Sequence, residues 1–432
     1  MSLDVGPWVH AEDLERGASS QLMSQLKGSA ILAIAGNVRR LVAEGHEISN
    51  FTIGDFNPSI FPVPEVLTEE VTRAYREGHT NYPPANGIPE LRSAIRRFYG
   101  SRLGLEYPEG SVVVGSGARP PIYGGFFAVV DPGDPVIFGV PSWNASYYVQ
   151  LTKGEPRVVV GNPERGFLPT AEAIAPHVSG ARMLCLNSPL NPAGTVFESQ
   201  QLKEICELVV GENRKRAATG ERPLFVLYDQ VYWQMVFEPA THATPVTLMP
   251  EMAAYTIHVD AISKCWAATG LRVGWTVAPP AVASRMKPLI GHMGAWAPKP
   301  EQMATARLLD APERVDPFTT EFCGRIEASL RRLADGFNAM HEAGLPVRAL
   351  PPQGALYLSV QFDVMGRSVG GAPLDDDRLI TWLLEEAGVA AVPFTAFGYP
   401  QGSGFVRLSV GAVSHEAIDR ALERIEALLR GL

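Results

Sequence analysis

Cysteine is scarce in this chain of 432 residues. The four present, Cys185, Cys206, Cys265 and Cys323, form no Cys-x-x-Cys pair and have no histidine cluster beside them. That excludes a disulfide framework and a zinc signature, and it fits a reducing compartment with no metal site. Long apolar runs are missing as well. No stretch reaches the roughly 18 apolar residues of a membrane span, and residues 1–28 hold no apolar core of signal-peptide length. The expectation is a cytoplasmic protein with no membrane partner. A basic excess is also absent: 37 Lys and Arg face 46 Asp and Glu, a net charge of -9. Such a balance argues against nucleic acid as a partner, while leaving room for a small anionic ligand held by local charges. Internal repeats and long low-complexity segments are lacking.

What is present is length and apolar content. With 46% hydrophobic residues, the chain can bury more than one core, which predicts two or more domains. The first 30 or so residues are mixed polar and resemble an arm. Helical spacing of Ile31, Ile34, Val38, Leu41 and Val42 predicts a helix from Ala30 to Glu44. A short strand over 48–53 then meets the turn Gly54-Asp55-Phe56-Asn57-Pro58. Helices are expected over 66–75 and 88–98. From Val112 the rhythm changes to short apolar runs at 112–114, 136–140, 157–160, 183–187 and 224–228, with helical patterns between most of them, such as 199–210. Residues 256–258 and 273–277 add two more candidate strands. Alternation of this kind predicts an α/β fold with a mostly parallel sheet flanked by helices. The charged stretch 211–222 reads as an exposed loop. A long helix over 319–343 leads to a tail of strands (355–360, 405–410) and helices (376–387, 414–429), which reads as a smaller α+β domain.

Ligands of open α/β sheets sit beyond the carboxyl ends of the strands, and four such places carry chemistry. Gly115-Ser116-Gly117-Ala118-Arg119 joins a strand to a helix. Small residues there let backbone N–H groups approach an anion at a helix N-terminus, although an ordinary tight turn has the same composition. In Asn187-Ser188-Pro189-Leu190-Asn191-Pro192, Asn191 either points its amide into a cleft or is loop punctuation. Asp229, in Tyr228-Asp229-Gln230-Val231-Tyr232, either caps the next element or pairs with a cationic ring nitrogen. The sharpest stretch runs from Ser263-Lys264 to Gly270-Leu271-Arg272-Val273-Gly274. A lysine among small and apolar residues can serve as an amine nucleophile, and Arg272 can bind phosphate or carboxylate. Taken singly, a surface lysine and a structural arginine are the simpler readings.

In order and together, these pieces resemble the fold-type I pyridoxal-phosphate (PLP) enzymes, specifically the class I/II, aspartate aminotransferase-like family. The resemblance runs from about residue 30 to 432. It includes Asn81-Tyr82-Pro83-Pro84-Ala85-Asn86-Gly87-Ile88-Pro89-Glu90-Leu91-Arg92 and Gly404-Phe405-Val406-Arg407-Leu408-Ser409. The implied organisation is an arm and helix over 1–60 that joins the small domain, a large PLP-transferase-like domain over 61–315, and a small C-terminal domain over 316–432. The implied cofactor is pyridoxal 5′-phosphate, held by Lys264 as a Schiff base. Lys264 would then act as base and acid between the substrate's α-carbon and the cofactor. Asp229 would pair with the ring nitrogen, Tyr232 and Asn191 would bond the cofactor's phenolic oxygen, and Trp143 would stack on the ring. Gly117, Ala118, Arg119, Ser263 and Arg272 would surround the cofactor, mostly at its phosphate. Tyr82 would reach the phosphate of a neighbouring subunit, implying a homodimer with shared sites. Arg407 would hold the substrate carboxylate, helped by Asn191, Trp143 and the backbone near Gly54.

The implied reaction moves an amino group between an amino acid and a 2-oxo acid. Two departures bear on it. Ala261 stands three residues before Lys264, where the family usually places Ser or Gly, so a phosphate contact is lost or replaced. Trp296, within Gly291 to Gln302, stands where dicarboxylate-specific members carry Arg or Ser. That predicts an enzyme not specific for aspartate, with a bulky or aromatic substrate side chain; His292 and Lys299 nearby offer polar contacts or simple surface exposure. The same Lys, Asp and Arg set also serves PLP-dependent elimination, replacement or cyclisation, because fold does not dictate reaction. A non-catalytic regulatory module on this fold would need a fused DNA-binding region, and residues 1–30 are too short for one.

Overall fold

Seven apolar runs pair into one sheet because each is too short to bury its backbone alone. Across the sheet they lie in the order Val112–Ser116, Val273–Val277, Thr256–Ala261, Phe225–Asp229, Met183–Asn187, Pro135–Val140 and Glu155–Val160. Pairing is parallel throughout except for Val273–Val277, which runs antiparallel to both neighbours. The central strands are buried on both faces, as Thr256–Ala261 is at every position, whereas the edge strand Glu155–Val160 alternates toward solvent. Helices such as Arg119–Val129 and Pro280–Met293 cover one face and pack with Leu227 and Ile257; Pro89–Leu103 and Ser199–Thr219 cover the other with Tyr228 and Val226. This computed structural model describes residues 4–9, 17–26, 28 and 30–432. The expected arm therefore lies partly outside the described residues.

A second, antiparallel sheet orders Val392–Pro393, Phe405–Ser409, Tyr357–Phe362 and Val347–Ala349. The helices Pro312–Glu342, Asp376–Ala387 and His415–Arg430 pack on and around it. Ser49–Asn50 pairs in parallel with Val389–Ala390, tying the early chain to this region. The strand expected over 48–53 is thus only two residues long, since the chain turns away at Phe51 to send Gly54 and Asp55 toward the large sheet. The boundary expected at 315/316 falls inside the helix Pro312–Glu342.

The charged stretch 211–222 is not a loop. The helix Ser199–Thr219 continues through it and stops where Gly220 adopts φ 73. Arg216 is 3% exposed and donates to the carbonyls of Val178 and Ala181, each at 2.6 Å, while Asn213 exchanges two hydrogen bonds with Leu224. Polar residues that satisfy buried carbonyls look like solvated ones in a sequence. Helices Ala145–Thr152, Pro280–Met293 and Lys299–Leu309 were not anticipated; the last two carry Pro in the first turn, a legible start signal. Among the described residues, no helix is long and apolar enough to cross a membrane, and no group of three His, Cys, Asp or Glu could hold a metal ion.

Candidate active site

Three neighbouring strands end on Asn187, Asp229 and Ala261, and beyond their carboxyl ends lies a cavity of about 400 Å³. Chain from both sheets walls it: Gly54, Ala118, Arg119, Trp143, Asn191, Asp229, Tyr232, Ser263, Lys264, Arg272 and Arg407 all line it. Lys264 stands on the single turn Ile262–Cys265 that directly follows the strand at Ala261. Its Nζ donates to the carbonyl of Gly54 at 2.6 Å and lies 5.9 Å from the ring centres of Phe56 and Tyr232. Asp229 is partly buried and lines the void. Burial pushes its carboxyl up to about 6, against the Val231 N–H, which donates to it at 3.2 Å, and the nearby charge of Lys264. Asn187 stitches this floor together: its Nδ2 donates to the Asp229 carbonyl and its Oδ1 accepts from the Asn191 N–H.

One end of the cavity is cationic. Arg272, at φ 58, folds its guanidinium back to donate to the carbonyls of Thr269 (2.7 Å) and Ser116 (3.0 Å). Gly117, at φ 80, lies against that guanidinium, and a Cβ there would collide with it. The helix Arg119–Val129 opens with Pro120 and Pro121, which have no N–H. The Gly117 N–H is taken by the Arg272 carbonyl, so Ala118 and Arg119 are the backbone donors this turn retains. The side chains of Arg119 and Arg272 carry the rest of the positive potential. Arg119 lies 5.3 Å from the centre of the Trp143 ring, which lines the same end.

At the other end, Arg407 is 1% exposed on the strand Phe405–Ser409. Its guanidinium donates to Asn191 Oδ1 (3.1 Å) and the Thr52 carbonyl (2.7 Å), between the rings of Tyr357 and Phe397 at 4.6 and 5.0 Å. Its Nε has no partner, an incomplete environment for a buried cation. Tyr232 is buried with its hydroxyl 2.8 Å from that of Tyr357, and burial, the first of its causes, holds its proton well above the usual phenol range.

One residue expected at this cavity, Gly117, does not line it, and neither does Tyr82, which was expected to serve a neighbouring subunit. Gly117 lies behind it as the platform for Arg272. Tyr82 is 83% exposed and packs edge-on against Trp296, ring centres 5.4 Å apart. Trp296 does not line the cavity either, and Lys299 donates to Asn81 at 2.6 Å. Ala261 presents a methyl where a hydroxyl was expected to be lost, while Ser263 and Thr269 line the wall nearby. Sequence reasoning missed Asp55, which accepts from the Thr269 hydroxyl at 2.7 Å, and also Tyr148, Asn187 and Tyr357. Asp55 was legible as part of a turn after Gly54; Tyr357 has no local signal, being one more aromatic residue in a strand.

The chain is similar to known proteins over nearly its whole length. The profile of the family described as "Aminotransferase class I and II" matches residues 47–425. A probable aspartate/prephenate aminotransferase of Aquifex aeolicus (strain VF5) is 31% identical, covering 96% of this chain and 99% of that protein. An aspartate aminotransferase of Streptomyces avermitilis is 32% identical over 96% of this chain and 97% of its own. The crystal structure of the aspartate aminotransferase from Rhizobium meliloti superposes with a TM-score of 0.87 at 27% identity, covering 95% and 98% of the two chains. An aromatic aminotransferase from Pyrococcus horikoshii OT3 superposes with a TM-score of 0.79 at 27% identity, covering 91% and 99%. The chain belongs to the class I and II aminotransferases.

Proposed function

We propose that in this PLP-dependent aminotransferase Lys264 moves the proton, Asp229 anchors the cofactor ring and Arg407 holds the substrate. The activity is transfer of an amino group between an amino acid and a 2-oxo acid. The observation that carries the residue roles is the convergence of Lys264, Asp229 and Arg407, drawn from three distant stretches, on one cavity with a cationic end.

The residues present fit PLP on three counts. The cationic end suits a phosphate, with Gly117 making room for Arg272. Asp229 is a carboxylate whose burial raises its affinity for a proton, so a cationic ring nitrogen beside it would relieve that burial. The unpartnered Nε of Arg407 and its two Nη groups suit a carboxylate. When bound, PLP supplies an electron sink for the substrate's α-carbon. The chain's own residues do the rest. Arg407, with Asn191, fixes the substrate by its α-carboxylate. Trp143 and the wall at Ile122 and Val231 shape the slot for a flat ring and exclude water from it. Tyr232 offers its retained proton to the ring's oxygen. Lys264 takes the proton from the substrate's α-carbon and returns it on the cofactor side.

Beyond this we read the enzyme as a homodimer in which Tyr82, too exposed to serve its own cavity, serves the partner's. We also read its preferred substrate as bulky or aromatic rather than aspartate. In support, the cavity's described cations are Arg119, Lys264, Arg272 and Arg407, each assigned above to cofactor or α-carboxylate, with none left for a second carboxylate. One of the Thermus thermophilus aspartate aminotransferase variants of the same fold is described as complexed with tryptophan. The division into 1–60, 61–315 and 316–432 stays our reading, with the second junction moved to the start of the helix at Pro312.

The test is an absorbance spectrum of the purified holoenzyme with a panel of amino acids, beside Lys264→Ala. The reading expects a visible band that the substrate converts to that of the cofactor's amine form. It expects kcat to fall by at least about 10³-fold in Lys264→Ala. A variant retaining turnover within about ten-fold of wild type would remove Lys264 from the chemistry. Aspartate outrunning phenylalanine and tyrosine would remove the substrate reading alone.

A further inference from the structure

The hydrogen bonds at Arg407 do not stop at Asn191. Asn191 Oδ1 accepts from Arg407 Nη1 at 3.1 Å, and Nδ2 of the same amide donates to the Tyr357 hydroxyl at 3.4 Å. The Tyr357 hydroxyl in turn lies 2.8 Å from that of Tyr232. Four stretches of chain, at 191, 232, 357 and 407, thus form one continuous path from the carboxylate-binding end to the phenol beside Lys264.

Valence fixes the first two steps along it. A guanidinium only donates, so it selects the oxygen of the Asn191 amide and turns the nitrogen toward Tyr357. Tyr357 accepts there; in its contact with Tyr232 either hydroxyl can donate, and the arrangement with Tyr357 donating is the one that frees the Tyr232 proton for the cavity. Tyr232, receiving a proton, has its own to give into the cavity. Chains of this kind strengthen each successive donor. Tyr357 is also held in place: its ring lies 4.6 Å from the Arg407 guanidinium, and its hydroxyl faces Gly54, where a Cβ would come within 2.8 Å of it.

We propose that Tyr357 is a positioning residue that couples the substrate's carboxylate to the cofactor, by orienting Tyr232 as a donor to the PLP ring oxygen and by reporting, through Asn191, whether Arg407 is occupied. This rests on the roles of Tyr232 and Arg407 given above. A carboxylate that draws the Arg407 donors toward itself loosens the Asn191 contact, weakens the donation to Tyr357, and so weakens the pull of Tyr232 on the ring oxygen. Donors to an oxygen lower its affinity for a proton. Cutting the path must therefore raise the pH midpoint at which the holoenzyme's visible band changes.

The experiment titrates that band against pH in wild type, Tyr357→Phe and Tyr232→Phe holoenzymes, each with and without 3-phenylpropionate, a carboxylate with no amino group to transfer. Tyr357→Phe keeps the ring over Arg407. The expected result is a midpoint raised by roughly half a pH unit, in the same direction as Tyr232→Phe but by less. The further shift caused by 3-phenylpropionate should be about halved in Tyr357→Phe, since the direct effect of its charge persists while the relayed part is lost. If Tyr232→Phe moves the midpoint and Tyr357→Phe does not, the coupling is overturned and the role of Tyr232 stands. If neither moves it, the role of Tyr232 fails first and the coupling with it. Should Tyr357→Phe not take up PLP, Tyr357→Leu, which also removes the hydroxyl and leaves Asn191 and Tyr232 intact, is read by the same criteria.

Discussion

Asp229 ends one strand of the large sheet and Asp260 is the last residue but one of the neighbouring strand, and both carboxyls are pushed upward by burial, to about 6 and about 8. Their surroundings could hardly differ more. Asp229 pairs in register with Val259, so Asp260, one residue on, points to the opposite face. There it is 2% exposed and closed in: it accepts from the Trp233 indole N–H at 2.9 Å and from the Ala261 N–H at 2.8 Å. On the same face His242 and His258 are held neutral, pushed down to about 3 mainly by burial. Asp229 has one backbone donor and a void in front of it that Lys264, Asn191 and Arg407 share. The carboxyl with the larger shift is thus the one sealed in packing. A perturbed pKa reports desolvation; a site needs, in addition, convergent groups around accessible space.

The comparison can be broken most directly by matched substitutions. Asp229→Asn should lower kcat/KM by roughly 10²-fold or more, because on the proposed assignment the cofactor's ring nitrogen would lose its anionic partner. The isosteric Asp260→Asn should leave kcat/KM within about three-fold. Steady-state kinetics on both variants checks this, and equal losses would erase the distinction.

Stability should show an opposite order. A carboxyl raised from 3.8 to about 6 binds more protons folded than unfolded, so it favours the fold fully only below the unfolded value. That benefit is lost as pH rises through about 6, after which the buried charge is a cost. PLP-free Asp229→Asn should therefore be more stable than PLP-free wild type at pH 8, by roughly 1–3 kcal/mol. Near pH 4 the two should be close. Urea melts at the two pH values measure the difference, and wild type matching the variant at pH 8 would place the Asp229 charge in solvent.

The smallest expected effect concerns the closed face. A histidine lowered from 6.5 to about 3 binds fewer protons folded than unfolded. Stability is therefore whole above the unfolded value and falls as pH drops from 6.5 toward 3. His258→Gln should flatten the fall in melting temperature between pH 6.5 and 5, by roughly 2–4 °C at the lower pH. An unchanged slope would mean that His258 takes up its proton without opening the packing.

How legible was this? Residues whose chemistry lies close along the chain could be read directly. Lys264 and Arg272 stand in one short segment, Asp229 and Tyr232 are three apart, and Gly117 to Arg119 sit between a strand and a helix. Each segment is short enough that turn chemistry and strand ends place its polar residues together. The helix through Arg216 was misread because its charges answer to buried carbonyls at 178 and 181, which no local pattern displays. Tyr357 went unseen for the same reason: its partners are at 54, 191, 232 and 407.

By itself, then, the order of residues determined the alternation of strands and helices, the mostly parallel sheet they form, and the family to which the motifs resemble most. Periodicity and turn preference are local, and they survive without a tertiary fold. Only the folded chain showed that Asp260, one register step from the partner of Asp229, is sealed in packing. It also decided that Tyr357 lies between Tyr232 and Asn191. Those facts depend on strand register and on the docking of the two sheets, where a shift of one residue would turn each side chain to the other face.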